Sequence, residues 1–156
     1  GKTTVCKEIR DFDKKIAWVS IDNFKKIFSD FEDRALDEVN DEAVVTIRHL
    51  LEKNYSVVID GIFKNPKHFE HISELGNERN IPLTLFQLEA SLETLKRRDK
   101  ERDGPKQGLW KPLGDELIES LHRKVEENPI EGAIILNTEE LTIDEVVDRI
   151  RKTFEF

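Results

Sequence analysis

An α/β architecture, a parallel sheet covered by helices on both faces, is the fold class this sequence predicts, and three observations carry the prediction. Short apolar runs such as Ile16-Ala17-Trp18-Val19 alternate with longer stretches whose apolar residues recur at helical spacing. The short runs are apolar over most of their length, the pattern of strands buried on both faces, and such strands belong to parallel sheets. Candidate polar residues fall just past the run ends: Asp22, Asp60 with Gly61, and Asn137 with Thr138. Sites in open parallel sheets lie at the carboxyl ends of the strands, so these positions point to one shared cleft.

The elements follow in order. Thr3 to Ile9 is helix-compatible, with Val5 and Ile9 one turn apart, and Ile16–Val19 is a buried strand. Val39, Ala43, Ile47, Leu50 and Leu51 form a helical stripe, with Asp41-Glu42 near its positive end. Tyr55 to Ile59 is a second strand, stopped by Asp60-Gly61. Pro66 starts a helix toward Arg79, and Asn80 before Pro82 marks its exit. Leu83 to Leu88 is a third strand, and Ser91 N-caps a helix through Leu92 and Leu95. Gly104 to Gly114 reads as a loop, Asp115 to Glu127 as a helix, and Ala133 to Leu136 as a fourth strand. Thr142 caps a last helix through Val146, Val147 and Ile150. Without repeats, low-complexity tracts or a Gly/Ser linker, the expectation is a single domain over 1–156 with a lid at about 98–114.

At 156 residues the chain is long enough to bury a core, and with 37% hydrophobic and 37% charged residues it is too apolar for a disordered one. No apolar run approaches the length of a membrane helix, and no secretory segment is present. A single cysteine, Cys6, allows no internal disulfide, which makes the cytoplasm the expected compartment. A net charge of −8 disfavours a nucleic-acid or anionic-membrane partner, while leaving room for a small basic pocket. The sequence has no methionine and opens on Gly1-Lys2-Thr3-Thr4, so residues upstream are expected to be missing.

Those opening residues are the back half of a Walker A motif, followed by a helix. In such a loop Gly1 lets backbone N–H groups approach phosphate and Lys2 reaches the β- and γ-phosphates. The Thr3 hydroxyl binds Mg²⁺, and Thr4 lies in the helix N-terminus that favours the anion. Asp22, in Ser20-Ile21-Asp22-Asn23-Phe24, can accept the proton of an attacking hydroxyl or hold an acceptor with Asn23; the alternative is a helix cap. Val57-Val58-Ile59-Asp60-Gly61 has a Walker B shape, in which the acid orders Mg²⁺ or meets the acceptor; the alternative is an Asp-Gly turn. Lys64 reads as a solvated lysine. Arg98 and Arg102 sit one helical turn apart before the irregular loop, placed to neutralise a transferring phosphoryl group; the alternative is a solvated charged helix. Trp110 either shields the site or anchors the loop, and Asn137-Thr138 lies beside an adenine ring or forms a turn. Cys6 reads as a small core residue, and His49, His68, His71 and His122 are too scattered for a metal site.

With these residues in hand, the chain resembles the P-loop kinases grouped with polynucleotide kinases, zeta toxins, chloramphenicol phosphotransferases, gluconate kinases and adenylylsulfate kinases. The resemblance runs through Gly1–Thr4, Ser20-Ile21-Asp22, Ile59-Asp60-Gly61, Arg79–Pro82 leading to Leu88–Ser91, the Arg98/Arg102 pair and Leu136–Thr142. It implies a P-loop NTPase-type sheet and an ATP- and Mg²⁺-dependent kinase. Lys2 and Thr3 would handle phosphate and metal, Asp22 the acceptor hydroxyl, and Arg98 and Arg102 the lid. The family also has a strand and the front of the phosphate loop before Gly1. The chain as it stands is therefore expected to be inactive, or stabilised by a partner or rearrangement. The leading functional expectation is a kinase acting on a small-molecule or nucleoside-type acceptor. A polynucleotide 5′-hydroxyl kinase, disfavoured by the charge, and a non-catalytic nucleotide-binding module are the alternatives.

Overall fold

Seven α-helices, one 3₁₀ turn and four strands appear in a computed structural model that describes residues 1–27, 35–62, 66–101 and 112–153. They divide into two compact units, one formed by 1–84 with 143–156 and the other by 85–142.

In the first unit, α1 (Lys2–Arg10) leads into β1 (Ile16–Ser20), the short α2 (Ile21–Phe24) and the 3₁₀ turn Lys25–Ile27. Then come α3 (Ala35–Glu52), β2 (Ser56–Asp60) and α4 (Pro66–Glu78), and α7 (Ile143–Arg151) returns from the far end of the chain. β1 and β2 pair in parallel, Ser20 directly opposite Asp60. Side chains alternate between sheet faces, so Val19, Val57 and Ile59 share one face, and they pack on Ile47, Ile72 and Leu75 of α3 and α4. Ile16, Trp18, Ser20 and Asp60 therefore share the opposite face, toward α1. There the Arg10 guanidinium lies 5.9 Å from the Trp18 ring. α1 buries Val5, Cys6 and Ile9, α7 buries Val146, Val147 and Ile150, and the two helices pack on one another.

Two helices of this unit end the same way. At α3 the Tyr55 N–H reaches the Leu50 carbonyl (3.1 Å) and the Asn54 N–H that of Leu51 (3.0 Å). At α4 Ile81 reaches Gly76 (2.9 Å) and Asn80 reaches Asn77 (3.2 Å). Both are Schellman ends, and each needs a left-handed residue after the helix, supplied by Asn54 (φ 59°) and Asn80 (φ 52°). Asn80 is thus the residue that turns the chain out of α4, ahead of Pro82.

In the second unit β3 (Phe86–Glu89) and β4 (Ile134–Asn137) pair in parallel, with α5 (Leu92–Lys100) and α6 (Asp115–Glu127) between them in sequence. Ser91 caps α5, its hydroxyl oxygen accepting from the Thr94 N–H (3.3 Å). The buried Asp99 accepts from the backbone N–H groups of Leu113 (2.8 Å) and Gly114 (3.0 Å), which ties the start of α6 to α5. Gly114 takes φ +88°, a conformation that a side chain would strain.

The alternation of strand and helix is as expected, and both pairs are parallel. One continuous sheet is not what forms: among the described residues no strand pairs across from β1–β2 to β3–β4. Burial on both strand faces is also incomplete, with Ile134 40% and Ile135 57% exposed, because a two-stranded pair offers few neighbours to cover it. The third strand is shorter than its apolar run: Leu83–Leu85 stay irregular and pairing starts at Phe86. Of the expected lid, only 98–101 and 112–114 fall within the described residues.

Candidate functional site

In the first unit a candidate site is built by the amino end of α1 and the carboxyl ends of β1 and β2. The Val5 N–H donates to the Gly1 carbonyl (3.1 Å), so helical bonding starts at Gly1. The N–H groups of Lys2, Thr3 and Thr4 then have no acceptor within the helix, and no side chain caps them. They form a positive end with Lys2 and Thr4 exposed and Thr3 half-buried.

Beside it sits Asp60, the last residue of β2, only 5% exposed. Its Oδ1 accepts from the Ser20 hydroxyl (2.7 Å), and its Oδ2 from the Thr3 hydroxyl at the long limit of 3.5 Å. Its side chain is thereby held inside the fold at a strand end. Burial, then the Asp60 charge, pushes the Cys6 thiol up to about 12. The Thr3 hydroxyl and the Asp60 carboxylate are hard oxygen donors of the kind Mg²⁺ takes, and these residues fit that ion.

Asp22 stands in the first turn of α2, two residues past Ser20. The cap alternative is corrected: Ser20 occupies the cap position and Asp22 lies inside the helix. Asp22 is ion-paired with Lys25, both side chains about a third exposed at 34% and 28%. α2 is held in place by Ile21, which packs with Val39 and Ala43 of α3, and Asn23 is exposed on it. Gly61 follows Asp60 just past the end of β2 and is half-buried.

The second unit gathers the other expected residues. The Arg98 guanidinium forks onto Thr138, Nη1 to Oγ1 (2.8 Å) and Nη2 to the carbonyl (2.7 Å). Thr138 in turn donates from its N–H (2.8 Å) and Oγ1 (2.9 Å) to the Glu89 carbonyl. Arg98 is therefore not part of a freely solvated charged face. Asn137 ends β4, its Oδ1 accepting from the Glu139 N–H (3.0 Å). The Glu139 carboxylate accepts from the Thr94 hydroxyl and from the N–H (2.9 Å) and hydroxyl (2.8 Å) of Ser91. These bonds, with the Arg98 charge behind them, hold its carboxyl down to about 2.

Sequence reasoning assigned no role to Ser20, Lys25, Asp99 or Glu139. Lys25 was findable from its one-turn spacing to Asp22. Ser20 and Glu139 depend on strand register and chain return, which leave no local signal. Arg102, Lys64 and Trp110 lie outside the described residues, as does the side chain of His68. His71 faces Asp41 (3.8 Å) and His122 faces Glu126 (3.2 Å). Among the described residues no cluster of three or more His, Cys, Asp or Glu side chains forms a metal site, and no helix is long and apolar enough to cross a membrane.

No protein-family model matches this sequence, and no curated protein matches it. A solved structure does. The Deinococcus radiodurans tunicamycin resistance protein superposes with a TM-score of 0.66 over 97% of this chain and 87% of its own, at 11% identity. The chain shares the fold of that protein. At that identity the likeness speaks for the fold alone.

Proposed function

We propose that the chain is an ATP-dependent phosphotransferase, a kinase of the P-loop group named above, moving the γ-phosphate to a hydroxyl of a small-molecule or nucleoside-type acceptor. The observation that carries this reading is the meeting of Thr3 and Asp60 where the Gly1-Lys2-Thr3-Thr4 helix begins. In this reading residues 1–156 make one kinase domain with its lid at about 98–114.

In this reading Gly1 to Thr4 receive the phosphates, with the free N–H groups of α1 and the Lys2 ammonium facing the β- and γ-oxygens. Thr3 and Asp60 would hold Mg²⁺, which when bound supplies charge neutralisation on those oxygens. Asp22 accepts the proton of the acceptor hydroxyl, with Asn23 and Gly61 lining the acceptor side. The acceptor oxygen bonds to the γ-phosphorus, the bond to the β,γ-bridging oxygen breaks, and ADP leaves. Arg98 and Arg102 would stabilise the phosphoryl charge, and Asn137 and Thr138 would lie by the base.

Calorimetry of ATP with Mg²⁺ tests it, on this chain and on the natural chain with any residues upstream of Gly1. Binding is expected to fall at least about tenfold in Lys2→Ala, since a charge-assisted contact to phosphate is lost. A panel of hydroxyl acceptors then tests transfer, with tunicamycin as one arm because the structural neighbour's name carries it. Binding without transfer to any acceptor would favour the non-catalytic module, and absence of binding by both chains would end the kinase reading.

A further inference from the structure

Asp60 has two carboxylate oxygens, and the fold treats them differently. Oδ1 is fixed by a short bond from Ser20 (2.7 Å), while among the described residues Oδ2 has only the long contact with Thr3 (3.5 Å). The terminal torsion of an aspartate is broad and soft, so an unanchored carboxylate would swing. One strong donor on Oδ1 sets the plane and aims Oδ2 toward the start of α1. The anchor follows from register: Ser20 stands directly opposite Asp60 in the parallel pair, on the same face and within reach of its side chain. With Asp60 95% buried, no bulk water replaces that donor easily.

We propose that Ser20 is the positioning residue of the metal-binding half of the site, holding Asp60 so that Oδ2 and the Thr3 hydroxyl present together to a nucleotide-bound divalent cation. This rests on the kinase reading and adds to it a residue outside the Walker motifs. Ser20 also occupies the cap position of α2, so the residue that sets the Asp60 carboxylate is the one from which the Asp22 helix departs. The metal side and the acceptor side of the site thus share one anchor on β1.

The test uses Mn²⁺ as probe. Metal binding to the ATP complex is followed by electron paramagnetic resonance, and ATP binding by calorimetry with metal and with EDTA. Partners of metal ligands are typically worth about 10- to 100-fold in metal affinity. Ser20→Ala is expected to lose roughly that much Mn²⁺ affinity while ATP binding in EDTA stays unchanged, and Ser20→Thr, which keeps the hydroxyl, is expected to recover most of it. Asp60→Asn provides a second check. If Ser20 acts through Asp60, the double variant binds Mn²⁺ no worse than Asp60→Asn alone. Equal Mn²⁺ affinity in the unaltered chain and Ser20→Ala, or equal losses with and without metal, would overturn the assignment while leaving the kinase reading intact. No metal-dependent ATP binding by the unaltered chain would overturn both.

Discussion

Cys6 and Glu139 are two residues whose chemistry the fold alters, in opposite directions. The Cys6 thiol is pushed up to about 12, first by burial and then by the neighbouring Asp60. A thiolate is the reactive form, so Cys6 is expected to be inert to Ellman's reagent at pH 8 in the native protein and to react fully on addition of denaturant. Rapid native labelling would contradict the packing of α1. Glu139 is held down to about 2 by Thr94, Ser91 and Arg98. A carboxylate with a depressed folded value stabilises at every pH above its ordinary value near 4.5, and that contribution is lost as pH falls from there through about 2. Melting temperatures of the unaltered chain and Glu139→Gln should therefore converge over that interval and separate above it. A constant gap from pH 2 to 6 would show that the carboxylate charge contributes nothing.

At the scale of elements, helix ends are where local sequence and long-range structure meet. Ser91 was legible as the cap of α5 because a hydroxyl before an apolar helical run is a local signal. Its second partner was not legible, since Glu139 arrives from beyond β4. The two asparagines that close α3 and α4 carry a weaker signal than glycine would, and only their positive φ values identify them. Leu75 of α4 is 1% exposed within the cluster of Val19, Ile47 and Ile72. Leu75→Ala is expected to cost about 2–5 kcal/mol, read from urea unfolding monitored by circular dichroism. A loss below about 1 kcal/mol would mean that α4 does not close this face of β1–β2.

For the whole molecule, the decisive feature is that the first unit is discontinuous. α7 comes from the end of the chain and buries Val146, Val147 and Ile150 beside α1. Each such side chain contributes about 1.5–3 kcal/mol on burial, so α7 is worth a large part of the 5–15 kcal/mol that a domain typically has. Ending the chain before Ile143 is expected to lower the first unit's stability by several kcal/mol and to make Cys6 reactive toward Ellman's reagent without denaturant. Unchanged Cys6 protection in that shortened chain would show that α7 is not the cover of α1.

By itself the sequence determined the kinds and order of the elements apart from α2 and the 3₁₀ turn after it, because periodicity, caps and breakers act over a few residues. It also marked Gly1 to Thr4, Asp22, Asp60, Arg98 and Asn137–Thr138 as strand-end or helix-end chemistry, since each motif is local. Tertiary structure alone decided how those marks are used. Strand register set Ser20 against Asp60, and chain return brought Thr138 to Arg98 and Glu139 to Ser91. Pairing across a sheet is chosen by contacts between distant segments, which is why the strands resolved into two parallel pairs where the apolar pattern suggested one sheet.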